Sequence, residues 1–403
     1  MKQAVTLRSG DPDEVGMSAP RLRRAAQLAE RVVTRGVHSA LAVLVARKGV
    51  VVLAQASGRL TPDPDSPPLT LDAIFPINSL TKPITATAVM ILVEDGLLGL
   101  NRPVREYIPE FVGAGKDAVM VHHLLTHTSG LNDDDALAHA AANPGRIEPP
   151  PAPPGVHPLI QKRLAFSYDA SLWKEPGAEM SYSGFGYDLL GEIVRRVSGA
   201  TLAEFAAERI FSPLGMKDTY YGLPESLVDR MVVRPSSAPF ATDGTNVLGW
   251  PTMGLNGQLR REAQSAGVGA YSTAPDTAVF AQTFLNGGAF GNTRILGPVA
   301  VSEMIRNQVP GVSARYGSQY FPEASWGIGW DILGDKRCRY EYGSLQSPRT
   351  FGHEGSGGVY LMVDPTYDLI WIYFGTVLEL INGEFKKWEV DLFTNAVLAA
   401  VTD

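Results

Sequence analysis

Two strongly apolar hairpins lie near opposite ends of this chain. The first comprises LAVLVA (Leu41 to Ala46) and VVVLAQA (Val50 to Ala56), and the second comprises VYLMVD (Val359 to Asp364) and LIWIYF (Leu369 to Phe374). Nearly every residue in these four segments is apolar, which is typical of strands covered on both faces. We therefore predict that both hairpins pair in one antiparallel sheet, with most of the chain inserted between them.

A predicted helix precedes the first hairpin and another follows the second. Ser18 is a candidate N-cap with Pro20 just inside the first helix, and apolar residues then recur at helical spacing. We expect both terminal helices to pack on one face of the sheet. The predicted buried side of the last helix consists of Phe385, Trp388, Leu392, Phe393, Val397 and Leu398.

The segment between the hairpins is mostly helical by pattern. The helical stretches are Ile84 to Gly96, Gly186 to Ser198, Leu202 to Leu214 and Thr277 to Leu285. A series of βαβ units would need a strand between successive helices, and none is evident. The sequence thus predicts an α+β fold with a discontinuous sheet domain (1–78 and 320–403), a mainly helical domain (79–319) and an active site between the two.

Two stretches are predicted to be loops. Residues 144–158 are rich in proline, and residues 236–268 are rich in Ser, Gly, Thr and Asn and contain Trp250. Long loops in a compact protein are often lids or binding loops, although a disordered linker is the alternative. We treat Trp250 as a candidate substrate-binding residue that would suit an apolar acyl or aryl group.

Charge and cysteine content restrict the classes of partner. The formal net charge is −7, which argues against nucleic acid or an anionic membrane surface as a partner. Cys338 is the single cysteine, so no intramolecular disulfide can form. The N-terminal sequence MKQAVTLRSGDPDEVG contains no apolar core of signal-peptide length, and we therefore expect a cytoplasmic protein. Homo-oligomerisation stays open.

The sequence Ser79-Leu80-Thr81-Lys82 lies where an apolar helix begins. Residues i and i+3 share one helix face, so the Ser79 hydroxyl and the Lys82 amine can point into one cavity. A serine hydroxyl becomes a good nucleophile when a neighbouring base takes its proton. Lysine can act as that base when burial lowers its pKa. A four-residue pattern that fixes two positions is weak by itself, and the alternative is a helix cap beside a solvated lysine.

The wider sequence makes the pattern specific. Four segments in order resemble the serine β-lactamase and penicillin-binding protein superfamily, in particular the class C β-lactamases and the related family VIII carboxylesterases. These segments are FPINSLTKPITATAVMILVEDGLLGLNRPV, HHLLTHTSGL, EMSYSGFGYDLLGEIV and FGHEGSGGVYLMVDP, and GVGAYSTAPDTAVFAQ is a further similar piece. The resemblance implies a β-lactamase/transpeptidase-like fold, with Ser79 as nucleophile and Lys82 as its partner.

The second and third family motifs depart from the β-lactamase pattern. Tyr-x-Asn falls on Tyr182-Ser183-Gly184, so the tyrosine that relays protons in the family is kept and the asparagine is lost. Lys-Thr-Gly falls on His353-Glu354-Gly355, so a permanent cation is replaced by histidine. Both changes weaken the expectation of β-lactam binding and resemble the esterase branch. His353, Gly355 and Gly184 are accordingly candidate substrate-binding residues.

The resemblance also implies an oxyanion hole made by the backbone amides of Ser79 and Ser356. Two amides aimed at a developing oxyanion typically supply several kcal/mol of transition-state stabilisation. Gly355 would let a substrate carbonyl approach the backbone closely. No serine has glycine at both −2 and +2, so the nucleophile elbow of the α/β-hydrolases is absent.

Metal and cofactor chemistry is not predicted. His123 and His127 are spaced i, i+4 beside His122, but no HExxH motif follows. Asp133, Asp134 and Asp135 are interpreted as acids in a solvated turn.

The leading hypothesis is a serine hydrolase that cleaves small carboxylic esters through an acyl-enzyme. The alternatives are a β-lactamase or D-amino-acid peptidase, an acyltransferase in which an alcohol or amine replaces water, and a non-catalytic scaffold on the same fold.

Overall fold

A seven-stranded sheet is built from both ends of the chain in the computed structural model. The structure describes residues 4–143, 149–238, 241–245, 251–316, 319–334, 343–377, 380–381, 384–385 and 388–403. The sheet strands are β1 (Arg8–Ser9), β2 (Ala40–Arg47), β3 (Val50–Gly58), β4 (Asp331–Ile332), β5 (Phe351–Gly355), β6 (Val359–Asp364) and β7 (Leu369–Phe374). Their spatial order is β1-β3-β2-β7-β6-β5-β4.

The two apolar hairpins meet at the centre of this sheet. Strand β7 pairs antiparallel with β2, which places Ile370 opposite Ala46 and Phe374 opposite Ala42. All neighbouring strands are antiparallel except β1, which runs parallel to β3. The predicted antiparallel sheet is therefore confirmed, and its register is fixed because each face must bury its own set of alternating side chains.

Helices cover both faces of the sheet, and most of them come from the part of the sequence between the two hairpins. They are α1 (Ala19–Thr34), α2 (Thr81–Glu94), α3 (Val121–Leu125), α4 (Asp133–Ala142), α5 (Pro158–Asp169), α6 (Gly184–Ser198), α7 (Leu202–Ala206), α8 (Ser212–Leu214), α9 (Gln258–Ala263), α10 (Ala274–Leu285), α11 (Pro298–Met304) and α12 (Trp388–Leu398). Residues Ala207–Phe211 form a π-helical turn between α7 and α8. The four predicted internal helices thus correspond to α2, α6, the run from α7 to α8, and α10.

Short strands and 3₁₀ turns complete the chain. Two three-stranded sheets combine Phe75–Pro76 with Ala270–Ser272 and Tyr220–Tyr221, and Gln319–Phe321 with Ala314–Tyr316 and Met180–Ser181. Two-stranded pairs join Gly244–Thr245 to Pro251–Thr252, Ala289–Phe290 to Thr293–Arg294, and Leu380–Ile381 to Glu384–Phe385. The 3₁₀ turns are Pro12–Val15, Asn78–Leu80, Val104–Glu106, Lys116–Ala118 and Glu225–Arg230.

Alternate residues of the central strands enter two separate cores. Leu41, Val43 and Val45 of β2 join the core shared with α1 and α12. Ala42 and Leu44 point the other way, into the larger core that includes α2, α6 and α10. Both faces are covered, which explains why these strands show no polar alternation. The prediction that the two terminal helices share one face is confirmed.

Two details of the sequence interpretation are wrong. Trp388 was expected on the buried side of the last helix but is 57% exposed. It lies two residues before the buried Val390, which is about 200° away around the helix, so it faces solvent. The segment 236–268 was expected to be a loop, but it contains α9. Trp250 and the side chain of Phe385 lie outside the described residues.

Helix α2 follows the turn that contains the candidate nucleophile and runs through the core. All residues from Thr81 to Leu92 are buried, as expected of a helix surrounded by other elements. The sheet strands come from before residue 59 and after residue 330, and α2 to α11 lie between them in sequence. The domain boundaries at 78/79 and 319/320 stay a prediction. Within the described residues, every helix is too short or too polar to cross a lipid bilayer.

Candidate active site

Ser79 lies on the tight turn that leads into α2. Asn78, just before it, has φ 53°, in the left-handed region that asparagine tolerates better than most residues. The Asn78 side chain holds this turn: Nδ2 donates to the Ser356 carbonyl oxygen, and Oδ1 accepts from Arg260 at 3.0 Å. The candidate nucleophile is therefore tied to the residue that follows β5.

Lys82 lies one turn further along and is buried, with 1% exposure. Its Nζ is 3.1 Å from Ser79 Oγ and 3.0 Å from the Gly267 carbonyl oxygen. Burial lowers the pKa of Lys82 to about 7, while the charges of Asp133 and Asp188 act in the opposite direction. A neutral amine is therefore well populated near pH 7, and such an amine can accept the proton of the neighbouring hydroxyl.

Tyr182 reaches the same cluster from the link between a short strand and α6. Met180–Ser181 precedes it, and α6 begins two residues later at Gly184. Lys82 Nζ lies 4.6 Å from the centroid of the Tyr182 ring and 5.4 Å from that of Tyr187. The structure thus brings the side chains of Ser79, Lys82 and Tyr182 together.

The third sequence motif forms the end of β5. His353 is buried, and its Nδ1 donates to the Glu354 carbonyl oxygen at 2.6 Å. A Cβ on Gly355 would lie 2.2 Å from the Ile77 carbonyl oxygen, so the strand packs directly on the chain just before Ser79. Gly355 is therefore required by the protein's own packing. Close approach of a substrate at this glycine stays a prediction.

The amides predicted to form the oxyanion hole belong to two segments that contact each other. The Asn78 to Ser356 hydrogen bond joins these segments directly beside both amides. Ser356 is exposed at the end of β5, whereas Ser79 is 9% exposed. The candidate site therefore has one solvent-facing end, at Ser356, and one enclosed end, at Lys82.

Gly184 faces charged side chains of the protein. Its amide donates to Asp133 Oδ2 at 2.7 Å, and a Cβ on it would lie 3.1 Å from that oxygen and 3.4 Å from Arg163 Nη2. A side chain at position 184, where the family has asparagine, would therefore meet a carboxylate and a guanidinium. A substrate-binding role for Gly184 stays a prediction.

Asp133 is a residue that the sequence interpretation assigned wrongly. It begins α4, and its carboxylate accepts hydrogen bonds from Ser183 Oγ at 2.6 Å and from the Gly184 amide at the start of α6. Carboxylates are stabilising at helix N-termini, which explains this contact between two helices. Asp134 and Asp135 are exposed, as expected of solvated acids, but they lie in the first turn of α4 rather than in a loop.

A buried ionic network behind Lys82 was also missed. Asp188 accepts from Arg163 Nε at 2.6 Å and from Ser265 Oγ at 3.0 Å. Ser265 Oγ in turn accepts a hydrogen bond from the Gly267 amide at 3.3 Å, and the Gly267 carbonyl oxygen accepts one from Lys82 Nζ. The sequence does contain a signal for this network, which is the aspartate in the mostly apolar stretch FGYDLLGEIV. A charge on the buried face of a helix needs partners, so its presence there indicates buried hydrogen bonds or ion pairs.

The candidate histidines do not converge on a metal. His123 Nδ1 accepts from the Met120 amide at 3.0 Å, whereas His127 Nδ1 accepts from the Ser183 amide at 3.0 Å. Among the residues that the structure describes, no group of three His, Cys, Asp or Glu side chains could hold a metal ion.

The fold and the serine–lysine–tyrosine cluster are those of a serine hydrolase of the β-lactamase and penicillin-binding protein type. Residues 25–395 match the family model described as Beta-lactamase. This chain belongs to that family.

Relatives with similar sequences include two bacterial proteins. "Protein Rv1367c" of Mycobacterium tuberculosis is 29% identical over 76% of this chain and 78% of its own length. A "Putative D-alanyl-D-alanine carboxypeptidase" of Salmonella agona is 25% identical over 92% of this chain and 85% of its own.

Similar solved structures include a penicillin-binding protein homologue from Caulobacter crescentus and a family VIII carboxylesterase. The first is 23% identical with a TM-score of 0.74, covering 96% of this chain and 99% of the other. The second is 24% identical with a TM-score of 0.72, covering 94% and 98%. At these identities the likeness supports the fold alone.

Proposed function

We propose that this protein hydrolyses small carboxylic esters through a covalent acyl-enzyme on Ser79. The observation that carries the proposal is the buried Lys82 amine, 3.1 Å from Ser79 Oγ and with a pKa lowered to about 7. Such an amine can take the serine proton near neutral pH, when an ordinary lysine would be charged.

The reaction proceeds in two halves. Ser79 Oγ attacks the ester carbonyl while its proton passes to the pair formed by Lys82 and Tyr182, and the backbone amides of Ser79 and Ser356 stabilise the oxyanion. The same pair returns the proton to the departing alcohol. A water molecule then attacks the acyl-enzyme, and its proton passes through the Tyr182 region to release the acid and restore Ser79.

His353 favours esters over β-lactams as substrates. This position is lysine in β-lactamases. In this protein it is a buried histidine whose Nδ1–H donates a hydrogen bond to the Glu354 carbonyl oxygen. A permanent cation for a substrate carboxylate is therefore lacking at this position. The alternative of D-amino-acid peptidase activity is supported by the name of the Salmonella agona relative.

A substrate panel tests the proposal. Turnover of p-nitrophenyl esters of increasing acyl length is measured beside nitrocefin and D-alanyl amides, for wild type and Ser79→Ala. We expect short esters to be turned over well and the variant to be inactive. Nitrocefin or D-alanyl amide turnover above that of every ester would replace the ester assignment. Equal labelling of both proteins by a fluorophosphonate probe would remove Ser79 as the nucleophile.

Product analysis with added alcohol separates hydrolysis from acyl transfer. Hydrolysis predicts that the free acid is the dominant product, whereas transfer predicts accumulation of a new ester.

A further inference from the structure

His127 binds the backbone on both sides of Tyr182. Its carbonyl oxygen accepts a hydrogen bond from the Ser181 amide at 2.9 Å. Its ring Nδ1 accepts one from the Ser183 amide at 3.0 Å. One residue thus fixes the chain immediately before and immediately after the tyrosine.

The imidazole also packs on the tyrosine ring itself. The ring centroids of His127 and Tyr182 are 4.4 Å apart with an angle of 32° between the planes. The edge of Trp326 closes the same cluster, 5.2 Å from His127 and 6.0 Å from Tyr182. A rotation of the Tyr182 side chain would break these contacts, so they favour the orientation in which the ring lies against Lys82 Nζ.

The backbone of His127 has a conformation that is uncommon for residues other than glycine. It has φ 57°, in the left-handed region, just after α3 ends at Leu125. This conformation costs about 1 kcal/mol or more for a residue with a Cβ, and it persists only when the surroundings hold it in place.

The ring must be neutral and of one tautomer to make these contacts. Because Nδ1 accepts a hydrogen bond, the proton is on Nε2. Burial, together with the nearby charges of Lys82 and His353, holds the pKa of His127 well below its usual value. Nε2 is buried and has no hydrogen-bond partner within the described part of the chain. A buried donor without a partner is destabilising, so the imidazole lowers the stability of the fold at this position.

We propose that His127 is a positioning residue that orients Tyr182 toward Lys82 by holding its backbone and supporting its ring. The inference rests on the proposed function, in which Tyr182 carries a proton. His127 touches neither the substrate nor the reacting atoms in this scheme.

Two variants separate the two contacts. His127→Asn keeps an acceptor near Nδ1 and tolerates the left-handed backbone, but it removes the ring. His127→Phe keeps a ring of similar shape and removes the acceptor. His123→Phe is the matched control, because His123 also accepts a hydrogen bond from a backbone amide, that of Met120, in the same segment.

The readout is kcat for the best ester, normalised to active sites titrated with the fluorophosphonate probe. We expect kcat to fall roughly 10- to 100-fold in His127→Phe and about 3- to 10-fold in His127→Asn, with KM little changed, because small misplacements of a reacting group are costly. We expect the control to keep wild-type kcat. A merely structural role of His127 would lower Tm in both His127 variants and leave their kcat per titrated site unchanged.

Tyr182→Phe and the double variant distinguish failure of this inference from failure of the proposed function. We expect His127→Phe in the Tyr182→Phe background to reduce kcat no further, since both changes act through one group. If Tyr182→Phe alone keeps wild-type kcat, the proton relay is wrong. If Tyr182→Phe is impaired but the folded His127 variants are not, the positioning role alone is overturned. If His127→Phe does not fold, His127→Asn alone decides the question. An unchanged kcat in His127→Asn would then overturn the positioning role.

Discussion

Asp364 and Lys82 are both buried charged side chains, and their surroundings differ sharply. Asp364, at the end of β6, is fully buried, and its carboxylate accepts four hydrogen bonds. The donors are the Ser347 amide, Ser347 Oγ, Thr350 Oγ1 and the Thr366 amide, at 2.7 to 3.0 Å. Lys82 bonds one hydroxyl and one carbonyl, and it belongs to none of the ion pairs among the described residues; the Asp188 carboxylate pairs with Arg163 instead.

The difference indicates what each charge does. A buried charge whose hydrogen bonds are complete stabilises the turn that supplies the donors. A buried ammonium without a carboxylate partner is stabilised poorly, so it loses its proton easily and can serve as a base. We therefore assign a structural role to Asp364 and a chemical role to Lys82.

The largest effect is expected from Lys82→Met. Loss of a general base typically reduces the rate by about 10²- to 10⁴-fold. We also expect Tm to stay the same or rise, because a group that is costly to charge has been removed from the core. Ester turnover and thermal unfolding, measured on the same preparation, check both outcomes. A fall in Tm together with unchanged kcat would reverse the assignment.

The corresponding change at the other site is Asp364→Asn. An amide places a donor where the carboxylate accepts hydrogen bonds, so we expect the free energy of unfolding to fall by about 1–3 kcal/mol for each group left unsatisfied. Activity per folded molecule should not change. Denaturant unfolding measures the effect, and Asp368→Asn is the matched control because Asp368 is exposed in the same turn. Equal stability of the two variants would show that the Asp364 hydrogen bonds contribute little.

The smallest effect is expected from Asp188→Asn, which tests the network behind Lys82. The Asp188 charge raises the pKa of Lys82, so its removal lowers that pKa further. Because the free amine is the form that we propose to be active, the acid limb of the kcat/KM profile should move to lower pH. Asp134→Asn, on the exposed side of α4, serves as the control. A shift of the limb to higher pH would mean that Asp188 does not act on Lys82 through its charge.

Much of the fold could be predicted because it depends on local patterns. The four apolar strands of the hairpins and helix α6 follow periodicities that a few neighbouring residues determine. Trp388 was misplaced because its exposure depends on where α12 begins. The position of Asp133 could not be predicted, since its partner Ser183 lies 50 positions away in the chain.

The residues of the candidate site could be predicted less completely than the fold. Ser79 and Lys82 are three positions apart where α2 begins, so their spacing alone predicts that the two side chains lie together. Tyr182 was found through the resemblance to a family, because nothing local connects it to Lys82. Asp188 and His127 were missed as partners of the cluster, since their contacts depend on packing between distant segments.

The pH dependence of Ser79 phosphonylation reports directly on Lys82, because the rate depends on the base that activates the serine. The second-order rate constant for the fluorophosphonate probe is measured from pH 5 to pH 10. We predict a rise that follows one ionisation with an apparent pKa of about 7, which is absent in Lys82→Met. A rate that continues to rise toward the ordinary pKa of lysine, or a Lys82→Met profile identical to that of wild type, would contradict the account.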